Sequence, residues 1–404
     1  MAASFIVLGM FWGSWAVVIA NVQQTFGLSD ATLGLLLAAA IGVAAVTGAV
    51  VGHRAERWGT RRLLTGSLIA WAVLLVGAGL ARPWPVFAVC FAAAEVAGGC
   101  VDTAMNAAAS RRLMGQPGAL VRFHALFNTG ALSGAAASGI ALHFEVSWRW
   151  LWPALALAVL AVAWWAHVTP AIGVLLPVPA APTPAAGVVA DAGSGQAPGT
   201  RRSGFSLGPV AQLRADGLLV FLVVFAIAEI TEGGVDTWGV LYLRTHLAAG
   251  VLLGAGAYVI GQSVAATTRG AGGPLLGRMS ARIALVVGGL VAAGGILVES
   301  ISPEAVVAAC GLAFGAAGAS LFWPLVMSQA TKQATRATAA VGAFTAAGYV
   351  GWVAGAPVVG WVSDTWGPAR GLQLLAAAAL LVVLASLLHK ERVPSRSPDG
   401  TRPG

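Results

Sequence analysis

Apolar residues in this 404-residue chain come in runs of about 20, parted by short stretches of charge, Pro or Gly. A hydrocarbon core about 30 Å thick is crossed by roughly 20 residues of helix, so each run of that length predicts a membrane-spanning helix. Twelve such runs occur: 5–22, 31–51, 63–81, 85–109, 120–142, 149–168, 217–243, 248–270, 282–300, 304–328, 337–361 and 369–388. The pattern breaks once, over residues 169–216. That segment is rich in Pro, Ala and Gly and offers nothing that could build a core.

Composition agrees with the pattern. Hydrophobic residues make up 58% of the chain and charged residues 9%, with a mean hydropathy of +0.83, beyond the roughly 45–50% apolar usage of soluble domains. The expected fold class is an all-α membrane protein of twelve transmembrane helices in two six-helix bundles. Residues 1–168 form the first bundle, 169–216 a cytoplasmic linker, 217–390 the second bundle, and 391–404 a disordered cytoplasmic tail.

Charge placement orients the chain. Nineteen of the 23 basic residues fall on the side that holds both termini; Arg82, Arg149, Arg244 and Arg370 fall on the other. The positive-inside rule therefore predicts cytoplasmic termini in a multi-pass protein of the cytoplasmic membrane. The same residues account for the net charge of +8: they face anionic lipid, and nothing calls for nucleic acid as a partner. Cys90, Cys100 and Cys310 all lie in apolar runs, where small buried hydrophobes are expected and a disulfide is not.

The central linker predicts two related halves. The loop after the second run reads "GHRAERWGTRR" and that after the eighth "GPLLGRMSAR". Aligned, Gly52 matches Gly273 and Arg57 matches Arg278, while Glu56 falls on Gly277 and Gly59 on Ser280. The first of these loops resembles the loop signature of the major facilitator superfamily, which carries a Gly, an acid, a base, a second Gly and further bases at that place. A closer resemblance, to a bacterial branch of that superfamily related to sugar permeases, rests on "FWGSWAVVIANVQQTFGLSDATLG", "VDTAMNAAA", "RFHALFNTGAL" and "TEGGVDTWGVLYLR". That branch has Arg-Ile-Pro where this chain has Val18, Ile19 and Ala20. In physical terms Gly52 allows close helix approach and Gly59 a tight turn, while Glu56 can pair across the loop with a base or a helix N-terminus. Gly52, Glu56, Arg57, Gly59 and Arg61 are thus a candidate conformational latch, although Arg57 and Arg61 would also serve orientation alone.

Among the carboxylates within the runs, five stand out for their place away from the run ends: Glu95, Asp102, Glu229, Glu232 and Asp236. An acid at a helix centre costs on the order of 2.5–3.5 kcal/mol on insertion scales, so these must face protein or water. At 100° per residue Glu95, Asp102 and Asn106 lie within about 40° of one another, and Glu229, Glu232 and Asp236 within about 60°. Each helix carries one acidic stripe. Carboxylates gathered in low dielectric cannot all be ionised together and titrate as a coupled set, which suits a proton carrier. Permanent protonation or interhelical hydrogen bonding is the plainer role for any one of them. The resemblance implies that the first, fourth, seventh and tenth helices line a central cavity, which would put both stripes there.

Aromatic side chains add to that picture. Trp12, Trp15, Trp238 and Trp323 fall on the same presumed cavity helices and would suit a polyhydroxyl solute or an organic cation. Trp is equally at home at membrane interfaces. Gly130, Gly134 and Gly139 in the fifth run need no more than small-residue helix packing, and His124 with Asn128 forms a polar face at its start.

The functional expectation is a proton-coupled secondary transporter that moves a small polar, sugar-like solute across the membrane by alternating access. It would act as a monomer and without a cofactor. An exporter of cations, or a membrane sensor that keeps the fold without turnover, fits the same features. No nucleophile with a base, nucleotide loop or metal-ligand cluster points to an enzyme.

Overall fold

A computed structural model describes residues 2–112, 117–169, 213–276, 279–335 and 337–388. Every regular element among them is helical. The first half comprises α1 (Ala2–Phe26), α2 (Asp30–Trp58), α3 (Thr60–Leu80), α4 (Trp84–Arg112), α5 (Pro117–His143), a single 3-10 turn at Trp148–Trp150, and α6 (Leu151–Val168). The second comprises α7 (Leu219–Thr245), α8 (Val251–Leu276), α9 (Ala281–Ile301), α10 (Ala305–Ala319), α11 (Phe322–Gln333), α12 (Ala337–Trp366) and α13 (Pro368–Leu388).

Glycine and proline set the boundaries. Gly59 parts α2 from α3 at φ 79° and Gly367 parts α12 from α13 at φ 93°, backbone that a side chain disfavours. Pro117 and Pro368 open α5 and α13, where the missing N–H costs no hydrogen bond.

Nine membrane-crossing candidates lie among the described residues by length and apolarity. One of them, Ala305–Met327, takes in both α10 and α11. The single helix expected over 304–328 is therefore broken. Pro324 has no N–H to give the carbonyl of Ser320 and its ring crowds that carbonyl, so the helix stops one turn before the proline. The Ser320 hydroxyl instead turns back to the Ala317 carbonyl, 2.7 Å away.

Lipid tails are as apolar as leucine, so these helices associate through close packing rather than through burial from water. Where α1 crosses α5, a Cβ on Gly9 or Gly13 would lie about 2 Å from the carbonyls of Phe127 or Ala131, and one on Gly130 or Gly134 as close to those of Ile6 or Met10. The expected small-residue packing of the fifth run is thus a backbone-to-backbone crossing. Behind it the first half is filled by aromatic rings: Phe11, Trp15, Trp71, Phe87, Phe91 and Trp152 are all buried. Phe87 and Phe91 stack at 5.7 Å, and Phe91 and Trp152 at 6.0 Å.

Of the expected linker, residues 170–212 lie outside the described residues, as does the tail 391–404. Leu213, at the linker's end, is buried among Leu218, Phe221 and Phe225. Asp216 accepts hydrogen bonds from the backbone and hydroxyl of Thr335 at 3.1 Å.

The halves meet along α2 against α12 and α5 against α8. A Cβ on Gly34 would lie 2.4 Å from the Ala356 carbonyl, one on Gly360 2.3 Å from that of Asp30, and one on Gly139 2.5 Å from the Ala255 methyl. Hydrogen bonds join the halves at the same end. The Asp364 carboxylate accepts from the backbone N–H groups of Asp30 and Ala31, both at 2.9 Å. Arg244 donates to the Val17 carbonyl at 2.8 Å and to Asn21 Oδ1 at 2.7 Å. This clasped end is the one where α1 runs into α2 and α12 into α13; α1 begins and α13 finishes at the other.

Candidate functional site

Below the clasp, a narrow cleft lies between the halves. Trp12, Leu37 and Ile41 supply its wall from the first half, facing Glu229, Gly233, Trp238 and Trp352 of the second. The Trp12 and Trp352 rings meet edge to face across it, with centroids 6.3 Å apart and planes at 87°, the arrangement that ring quadrupoles favour. Gly233 makes room for Trp352: a Cβ there would sit 3.0 Å from the indole. Trp238 also borders a second, small pocket beneath the clasp, with Asp30, Tyr242, Thr245 and Ser363.

The acidic stripe of α7 reaches two different neighbours. Glu229 is buried against α12, its Cβ and Cγ set against Gly351 and Gly348. Two turns on, Asp236 accepts a 2.7 Å hydrogen bond from the Gln262 amide of α8 and lies within electrostatic reach of Tyr258. Half-buried Glu232 lies between them along the helix. A helix with three carboxylates does not read as a simple apolar span, and α7 is not among the nine candidates.

On α4, Asp102 accepts a 2.8 Å hydrogen bond from Asn106, one turn away on the same face. Tyr349 of α12, in the opposite half, lies within electrostatic reach of Asp102. Glu95 lies two turns from Asp102 and is only 6% exposed.

The tryptophans divide. Trp12 and Trp238 line the cleft. Trp15 does not: only 2% exposed, it packs on Phe91 at 4.6 Å and Trp152 at 6.0 Å inside the first half. Three residues along a helix turn a side chain by about 300°, enough to move it from the cleft to the core. Trp323, just past the break in the tenth span, packs on Phe225 at 5.2 Å.

Of the candidate latch, Gly59 forms the turn described above and Arg61 stands half-buried in the first turn of α3. The backbone of Gly52, Glu56 and Arg57 continues α2, and their side chains lie outside the described residues, as does that of His124.

Several residues that the sequence does not single out belong to the picture. Glu299 is fully buried where α9 meets α7 and α10, close to Gly239 and Gly311. Its oxygens have no hydrogen-bond partner among the described residues. Its signal is the same as that of the other carboxylates, an acid inside the run 282–300. Gln262, Tyr349 and Trp352 gave no comparable signal, because a lone amide or ring in an apolar run is common. Asn21 and Arg244 lie in the two stretches that carried the family resemblance, in the first and seventh runs, and the structure joins those stretches directly.

Known proteins agree with this geometry. The chain is similar to the membrane protein MosC of Rhizobium meliloti, 23% identical over 401 residues, a match that spans 99% of this chain and 91% of the relative. Its fold is shared with the nucleoside transporter NupG, at a TM-score of 0.75 and 15% identity over 95% of this chain and 96% of that one. A D-xylose-proton symporter shares it too, at a TM-score of 0.68 and 15% identity over 95% of each chain. The sequence profile of the Major Facilitator Superfamily matches residues 1–356, and this multi-pass membrane protein belongs to that family.

Proposed function

We propose that the chain is a secondary transporter of the cytoplasmic membrane. It moves a small polar, sugar-like solute together with protons, by alternating access of the cleft between its halves. The observation that carries the reading is the placement of ionisable groups: Glu229 borders the cleft lined by Trp12, Trp238 and Trp352, and Asp102 lies within electrostatic reach of Tyr349 in the second half. Aromatic faces beside carboxylates and amides suit a polyhydroxyl solute, with Asp236, Gln262, Asp102 and Asn106 as hydrogen-bonding groups. The fold neighbours named for a nucleoside and for D-xylose lean the same way. Glu232 and Asp102 are the first choices for carrying the proton, with Asp236 and Glu229 next.

The conformation follows from the clasp. With both termini cytoplasmic, the clasped end is the outer one, which supports reading this conformation as inward-facing. Passage to the outward-facing state would part Asp364 from α2 and close the opposite end, where the loop of Gly52, Glu56, Arg57, Gly59 and Arg61 would take over the latching. All twelve expected spans take part, and the working unit is the monomer.

A second reading, export of an organic cation, draws on Glu229 lying among three indole rings. Thermal-shift screening of the purified protein against sugars, polyols, organic acids and amines separates the two, because binding to the folded state raises its stability without any assumption about direction. Sugars or polyols should stabilise the wild type in a pH-dependent way, and Glu232→Gln should lose the pH dependence. Stabilisation by amines alone would favour the exporter, and an unchanged pH response in the variant would move the proton away from Glu232.

A further inference from the structure

We propose that Asp364 is an interdomain latch: its carboxylate caps the first turn of α2 across the boundary between the halves and thereby sets the balance between closed and open at this end. The first N–H groups of a helix have no partner within it. In α2 the Ser29 hydroxyl accepts from the Thr32 N–H at 3.2 Å, as an N-cap residue does. The N–H groups of Asp30 and Ala31 are satisfied instead by Asp364, more than 300 residues away in sequence, at 2.9 Å each.

The local setting of Asp364 argues for a role outside its own helix. It lies in the last turn of α12, where the helix carries partial negative charge and a carboxylate is disfavoured. Against the N-terminus of α2 the same charge is favoured. Gly360, one turn earlier, makes the contact possible, because a Cβ there would strike the Asp30 carbonyl. The neighbouring acid is held aside: the Asp30 carboxylate accepts from the Gln23 amide at 2.5 Å. Of the bases near this end, Arg244 is engaged with Val17 and Asn21, and Arg370 with Gln373.

The latch is a weak one, as a transporter needs. Asp364 is exposed, so water takes over both hydrogen bonds when the halves part, and the cap biases the equilibrium without locking it. Loss of a helix cap is worth roughly five- to tenfold in an equilibrium constant. The device is independent of which solute or ion is carried.

The test is a distance measurement between spin labels on exposed positions of opposite halves at the clasped end, Gln24→Cys and Glu304→Cys, after Cys90→Ser, Cys100→Ser and Cys310→Ser. Double electron-electron resonance should show the long-distance population rising about five- to tenfold relative to the short one in Asp364→Ala. Asp364→Asn keeps one acceptor and should shift the distribution less in the same direction. An Asp364→Ala distribution that superimposes on the wild type overturns the proposal. If that variant does not fold, an unshifted Asp364→Asn distribution overturns it equally.

Discussion

The two halves share a helix order but fill their interiors differently. The first is packed with rings, Phe11, Trp15, Trp71, Phe87, Phe91 and Trp152, behind a crossing of α1 and α5 that leaves no space for a Cβ. The second carries two of the three buried acids among the described residues, Glu229 and Glu299 against Glu95 in the first, and a span broken ahead of Pro324. Rigid rings and backbone contacts resist deformation, whereas a broken helix and hydrogen-bonded carboxylates have alternative arrangements open to them. The difference assigns a scaffold to one half and more of the ionisable and bendable parts to the other.

The largest effect should come from the scaffold. Gly13→Leu would drive a side chain into the Ala131 carbonyl, and the expected outcome is loss of folded protein, read as the absence of a monodisperse peak after detergent extraction. Normal yield of this variant would show that the crossing is not tight. Next comes Trp15→Ala, which should cost about 3 kcal/mol or more by emptying the aromatic core. Trp12→Ala, on the cleft side, should leave the melting temperature nearly unchanged while weakening solute binding. A large melting shift for Trp12→Ala and none for Trp15→Ala would reverse the division between core and cleft.

In the polar interior the effects should be functional. Asp102→Asn should lower proton-driven uptake in proteoliposomes roughly tenfold, the scale of one charged hydrogen bond, with little change in stability. Unchanged uptake would move the proton away from Asp102. The smallest effect is expected for Pro324→Ala, which lets α10 and α11 join: uptake should slow about two- to threefold while the protein becomes slightly more stable. A variant that transports at the wild-type rate would show that the break is not used as a hinge.

Much of this architecture could be read in the chain, and the limits have physical causes. Runs of bilayer length and the Pro/Ala/Gly segment divided the sequence, because a membrane imposes a length that composition reveals. The acidic stripes of α4 and α7 were visible for the same reason, since acids in such runs must face away from lipid. The break at Ser320 was in principle legible from Pro324. Which side Trp15 faces was not: α1 is apolar all round, so its periodicity marks no preferred face. The clasp was equally hidden. Asp30, Asp364, Asn21 and Arg244 stand at helix ends, where polar residues are ordinary, and only their meeting in space gives them meaning.

The edge-to-face contact of Trp12 with Trp352 has a consequence for affinity. If the proposed solute enters between those rings it must first separate them, and the protein then carries its own competitor in the form of one half occupying the other's surface. Dissociation constants measured at equilibrium then contain the fraction of molecules already parted, and they rise as that fraction falls. A change far from the cleft that merely loosens the two halves would be read in a binding assay as a tighter site.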